Sequence, residues 1–153
     1  MVAMSAPASS PNPQVKAERT PIKDFVEVYK LCDRFVSPVL AEYISMCINT
    51  AIGDGHRALF RIPLDENLQL GLIQDFADGY EALELAHPKQ KTMGQTMIDY
   101  FVEGVSYIAW DDHMEKVADR PRFVGSVSRG FARRLNELKT ARRLKRREMT
   151  GPF

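Results

Sequence analysis

Residues 57–73 read RALFRIPLDENLQLGLI, and the fold class turns on how that stretch is taken. Arg57 to Ile62 has the look of a short strand. Leu68, Leu70 and Leu72 alternate with Asn67, Gln69 and Gly71, as one half-buried strand would. A hairpin turning at Pro63 to Asn67 would then make an α+β protein. The competing pattern starts at Asp65, a residue type that caps helices, and runs through Leu72, Ile73, Phe76, Tyr80 and Leu83 at intervals of three and four. The helical period covers more residues, so a helix over about 65–86 is predicted, weakened by Gly71 and Gly79.

Outward from that segment every signal is helical. Thr20-Pro21 reads as a capping residue followed by a proline in the first turn. After it Ile22, Phe25, Tyr29, Cys32 and Val36 build one apolar face. Ser37-Pro38 restarts the chain, and Leu40, Tyr43, Ile44, Cys47, Ile48, Ala51 and Ile52 form a broad face expected to be buried. Gly53-Asp54-Gly55 reads as the stop. Thr92-Met93-Gly94-Gln95 has the form of a capping box and predicts a fourth helix to about Ala118. Arg120-Pro121 opens a fifth, with Phe123, Val124, Val127, Phe131, Leu135 and Leu138 on one stripe. Five helices with short connections predict an all-α bundle whose basic C-terminal helix projects from it. The expected divisions are a disordered arm at 1–19, rich in Ala, Ser and Pro, a helical domain at 20–138, and a basic extension at 139–153.

At 153 residues, 44% apolar and 27% charged, the chain has the composition of one ordinary globular domain. No apolar run approaches the roughly 18 residues that cross a bilayer. The first residues lack the charged start and apolar stretch of a secretory signal, so a cytoplasmic site, or the interior of a host cell, is expected. Cys32 and Cys47 sit among apolar residues and read as buried free thiols.

The net charge of +1 conceals a separation of sign. Residues 1–118 hold ten Lys and Arg against seventeen Asp and Glu, a balance of −7, while residues 119–153 hold eleven against three, a balance of +8. Such a split points to an acidic partner for the C-terminal end.

Motifs of catalysis are missing from the sequence. Phosphate-cradling glycine loops, H-E-x-x-H and G-x-S-x-G are not found. Glu84 and His87 have E-x-x-H spacing, but the second copy and extra carboxylates of a di-iron bundle are lacking. Asp111, Asp112, His113 and Glu115 are dense in titratable groups, yet neighbours on a helix point about 100° apart and cannot all converge. His56 reads as a turn residue closing on Asp54. Asp99 and Glu103, one turn apart, could take a clasp from Arg129, Arg133 and Arg134. A non-enzymatic protein with no cofactor and no metal is expected.

The segment Lys139 to Arg147 holds six basic residues in nine and no acid. Arg142 and Arg146 share one face; Lys139, Arg143 and Arg147 share another. Without interleaved aromatics it should grip phosphates of RNA or DNA with little sequence preference. Lys139, Arg142, Arg143, Lys145, Arg146 and Arg147 would carry those contacts, with Arg129, Arg133 and Arg134 orienting the helix. The other partner weighed is an acidic protein surface, with a self-associating or partner-binding body that could expose Trp110 or Tyr107. A Ser/Pro-rich arm, a small helical body and a basic end is a layout that phage, plasmid and viral accessory or nucleocapsid proteins share, a likeness of layout and not of motif.

Overall fold

The structure, a computed structural model, describes residues 20–35, 37–60 and 65–151. Among the described residues six α-helices follow one another: α1 (Ile22–Arg34), α2 (Pro38–Leu59), α3 (Glu66–Glu81), α4 (Pro88–Gly104), α5 (Tyr107–His113) and α6 (Pro121–Met149), with a 3-10 turn at Met114–Val117. There is no strand among the described residues, and the protein is all-α.

The 57–73 segment is therefore no hairpin. Its first residues end α2, its last open α3, and residues 61–64 lie outside the described residues, as do the arm at 1–19 and Val36. Asp65 caps α3, its Oδ1 accepting from the Asn67 N–H at 2.9 Å. Burial decides the rest. Ile73, Phe76, Ala77 and Tyr80 are buried at helical spacing, whereas Leu68 of the alternating set is exposed.

Local signals are overridden at two other places, one a stop and one a start. Gly53-Asp54-Gly55 does not end α2, which continues to Leu59. Gly55 and Leu59 extend the buried line of Ile48 and Ile52, and Gly104 of α4 packs on that last turn. A Cβ at Gly104 would stand 3.2 Å from His56 Cδ2 and 3.3 Å from Leu59 Cβ, so a larger residue would have to push the two helices apart by a few tenths of an ångström. Burial there outweighs the roughly 1 kcal/mol that each glycine costs a helix. Thr92 and Gln95 likewise form no capping box. Helix α4 already starts at Pro88, the Thr92 hydroxyl donates to the Pro88 carbonyl at 3.1 Å, and the Gln95 amide donates to Asp99 at 2.8 Å.

Helix α3 stops at Glu81, short of Ala86. Leu83 turns into the core, while the Glu84 N–H donates to Gln90 Oε1 at 2.8 Å. The single helix expected to reach Ala118 is broken after Gly104. Val105 is buried in an extended conformation, and Ser106 caps α5 by accepting from the Ala109 N–H at 3.1 Å. The break lets Trp110 and Val117 turn inward. Phe101 lies between Phe76, Trp110 and Phe123 at ring distances of 5.4, 5.6 and 5.1 Å, a cluster of tilted and edge-to-face contacts at the centre of the core.

Helix α3 also caps its neighbours. The N-cap positions of α1 and α6 are Pro21 and Arg120, and neither side chain serves its own helix. Thr20 thus does not cap α1. Instead Asp75 Oδ1 accepts from the Ile22 N–H at 2.8 Å, and Glu81 Oε1 accepts from the Phe123 N–H at 2.9 Å. Between them Asp78 takes two bonds from Arg120, from Nε at 2.9 Å and Nη2 at 2.7 Å. Burial works against the Arg120 charge, but Asp78 and Asp119 outweigh it and hold the guanidinium above its ordinary pKa. Three acids spaced by three residues therefore tie α1 and α6 to α3.

Candidate nucleic-acid interface

Helix α6 is anchored by its first three turns. Phe123 and Val127 are buried, Val124 and Phe131 half-buried, and the Arg122 guanidinium donates to the Leu83 carbonyl at 2.9 Å. From Ala132 to Thr150 every residue is exposed. The apolar stripe therefore leaves the core before its last members: Leu135 is 54% and Leu138 58% exposed. The helix persists because residues 131–150 contain neither Gly nor Pro and are mostly Ala, Leu, Glu, Lys and Arg, the strong helix formers.

Arg129, Arg133, Arg134, Lys139, Arg142, Arg143, Lys145, Arg146 and Arg147 all lie on this helix and all are exposed. Among the described residues none of them stands within 4.0 Å of a carboxylate. Arg129 donates to Ser126 Oγ at 3.1 Å. At 100° per residue, Arg142 and Lys145 continue the line of Phe131, Leu135 and Leu138, with Arg146 beside them. Arg129, Arg133, Arg143 and Arg147 point to the other side. The charge wraps the helix and is not spent on the body.

The clasp with α4 is not formed. Asp99 accepts the Gln95 amide, and Glu103 has its nearest basic group in His56, 3.8 Å away. His56 belongs to α2 and is not in a turn. It lies edge-on to Phe60 and Tyr100, while Asp54 pairs with Arg57. His87 meets Glu84 at 3.0 Å on the surface. His113 is buried and bonds Gln69 Oε1 at 3.2 Å through Nε2, while Asp111, Asp112 and Glu115 stay exposed. The dense acidic cluster thus does not converge on it. No group of three metal-ligating side chains occurs among the described residues.

Two apolar surfaces escaped the sequence reading. On α2, Leu40 and Tyr43 are exposed and not buried, and the exposed Val39 and Met46 share the side of Tyr43 at helical spacing. The signal was the width of the pattern: apolar residues circle most of α2, more than one core can cover. The second surface is a groove between the end of α4, the start of α5 and α6, lined by Val102, Val105, Tyr107, Phe131, Leu135 and Leu138. Tyr107 is exposed, whereas Trp110, also weighed as an outward residue, is part of the core. Both thiols are free, Cys32 buried and Cys47 half-buried. Among the described residues no helix is long and apolar enough to cross a membrane. No family model, characterised protein or solved structure matches this chain.

Proposed function

We propose that this chain is a non-enzymatic nucleic-acid-binding protein of the accessory or packaging kind, acting in the cytoplasm or inside a host cell. It grips the phosphate backbone of RNA or DNA through the projecting part of α6, with little preference for sequence. The observation that supports this most is the exposed run from Ala132 to Thr150, whose cations have no acidic partner among the described residues. Such a row of Lys and Arg gains affinity by releasing the counterions condensed on a polyanion. The segment carries no aromatic residue from Ala132 to Thr150 to stack on bases, which favours backbone contact over base reading.

Salt dependence tests it. A straight helix presents about half of its cations to one duplex, so about four phosphates are neutralised. Log K then falls with log salt at a slope of about −3.6, and affinity drops roughly 100-fold between about 50 and 200 mM. Changing Arg142, Arg143, Arg146 and Arg147 to Ala removes two of the four contacts whichever side faces the phosphates. The slope should fall to about −1.8 and the drop to roughly tenfold. Labelled single- and double-stranded oligonucleotides, titrated by anisotropy, give both slopes. An unchanged slope in the variant refutes the proposal.

A second reading has one observation in its favour. The outward side of α2, with Val39, Tyr43 and Met46, has the aromatic and Met content of a protein interface. On that reading the chain is a helical adaptor or assembly protein, and the basic helix docks on an acidic protein. Absence of oligonucleotide binding at low salt would favour it.

A further inference from the structure

We propose that the groove between the end of α4 and α6 seats a second copy of this chain, the two α6 helices crossing antiparallel about a two-fold axis between Leu135 and Leu138. The proposal stands apart from nucleic-acid binding. It starts from the spacing of Phe131, Leu135 and Leu138, which is four then three, the repeat that lets one helix lie along another. The half-buried Phe131 sits at the floor, and the exposed Leu135 and Leu138 both line the groove and rise out of it. A two-fold interface must be self-complementary, so one patch has to hold both the knob and the recess. This face does.

Charge fixes the occupant and its direction. On the α4 side stand Glu103, at the lip of the groove, and Asp99 one turn before it, both exposed. Neither lies within 4.0 Å of a Lys or Arg of its own chain among the described residues. Their level along α6 is set by Gly130, where a Cβ would stand 2.8 Å from Val102 Cγ2 and 3.2 Å from Ile98 Cγ2. The close approach keeps the α4 acids beside the helix that leaves the body. An antiparallel crossing between Leu135 and Leu138 puts position 142 of one helix opposite position 131 of the other. Arg142 of the second copy then arrives at the level of Phe131, beside Glu103. The clasp that does not close within one chain closes between two. Arg129, Arg133, Arg143 and Arg147 remain on the far side, open to solvent.

Sedimentation equilibrium of the full chain, purified free of nucleic acid, tests this. A dimer is expected at micromolar concentration. Leu135→Asp with Leu138→Asp should give a monomer with an unaltered circular dichroism spectrum, since both side chains face solvent in the single chain. Glu103→Arg alone and Arg142→Glu alone should each weaken the dimer about tenfold or more, because each places like charges together twice. Mixing those two variants should restore dimers of wild-type strength, because a heterodimer of E103R with R142E pairs opposite charges at both places. A monomeric wild type overturns the proposal. So does a dimer that survives the leucine substitutions, or a mixture that stays as weak as its components. None of these measurements involves an oligonucleotide, so their failure and that of the nucleic-acid proposal are separate events.

Discussion

The same substitution, glycine to alanine, made twice in α3, should act with opposite signs. At Gly71 a Cβ meets nothing within 4 Å, and the residue is exposed. Gly71→Ala removes only the entropic penalty of glycine in a helix and should stabilise by about 1 kcal/mol. At Gly79 a Cβ would fall 2.5 Å from Ile22 Cγ2 and 2.9 Å from Ile22 Cβ. Ile22 is fully buried, and its N–H is held by Asp75 at 2.8 Å, so α1 cannot back away without loosening its cap. Overpacking of this kind costs about 1–3 kcal/mol, and a weakened cap bond adds about 1 kcal/mol. Set against the helix gain of about 1 kcal/mol, Gly79→Ala should destabilise by roughly 1–3 kcal/mol.

For a chain of this size 1 kcal/mol moves the melting temperature by roughly 2–4 °C. The two variants should therefore lie on either side of wild type, separated by about 4–16 °C. Scanning calorimetry gives the sign, and urea titration gives the free energy. If the clash is with Ile22, Ile22→Ala combined with Gly79→Ala should cost clearly less than the two changes added separately. A Gly79→Ala protein as stable as wild type would refute the close approach of α1 and α3 on which this fold is built.

Two further outcomes follow from the caps and from one buried phenol. Glu81→Ala should cost about 1–2 kcal/mol in urea unfolding, since the N-terminus of α6 has its cap from α3, while Glu81→Gln keeps the acceptor and should cost less. Tyr29 has its pKa raised above the ordinary tyrosine value, first by burial and then by Asp33. The folded state holds that proton more tightly than the unfolded chain does. The contribution is thus complete below the ordinary tyrosine range and is lost as pH rises through the raised value. Tyr29→Phe should flatten the alkaline loss of stability, measured by urea titration on either side of about pH 10.

What was legible in the sequence is what a few neighbouring residues determine. Pro38 and Pro121 mark helix starts because proline fixes its own backbone, and Asp65 caps the helix it precedes. What was not legible depends on residues far along the chain. Asp75 and Glu81 cap helices 53 and 42 positions away, and no local pattern marks them. Gly53-Asp54-Gly55 carries every local sign of a stop, but Gly104 makes those turns worth burying. Periodicity also reports an apolar face without saying what covers it. Phe123 and Val127 meet the core, while Leu135 and Leu138 carry the same period into solvent. The candidate site was therefore legible as charge, whereas the groove beside it needed the path of α4.

The exposed half of α6 is helical under an electrostatic load. Its nucleus is set by the packed turns at Phe123, Val127 and Phe131, so each later residue only propagates a helix already begun. Lys139 with Arg143, Arg143 with Arg147, and Arg142 with Arg146 are like charges one turn apart, each costing a few tenths of a kcal/mol. Anything that neutralises one side of the helix relieves part of that load for the other side as well. Phosphates on the Arg143 and Arg147 side and Glu103 of a second copy on the Arg142 side would therefore favour each other instead of competing. Linkage makes the effect reciprocal. An oligonucleotide that tightens the dimer must be bound more tightly by the dimer, by the same factor, and R142E should lower affinity for phosphate even though its side chain points away from it.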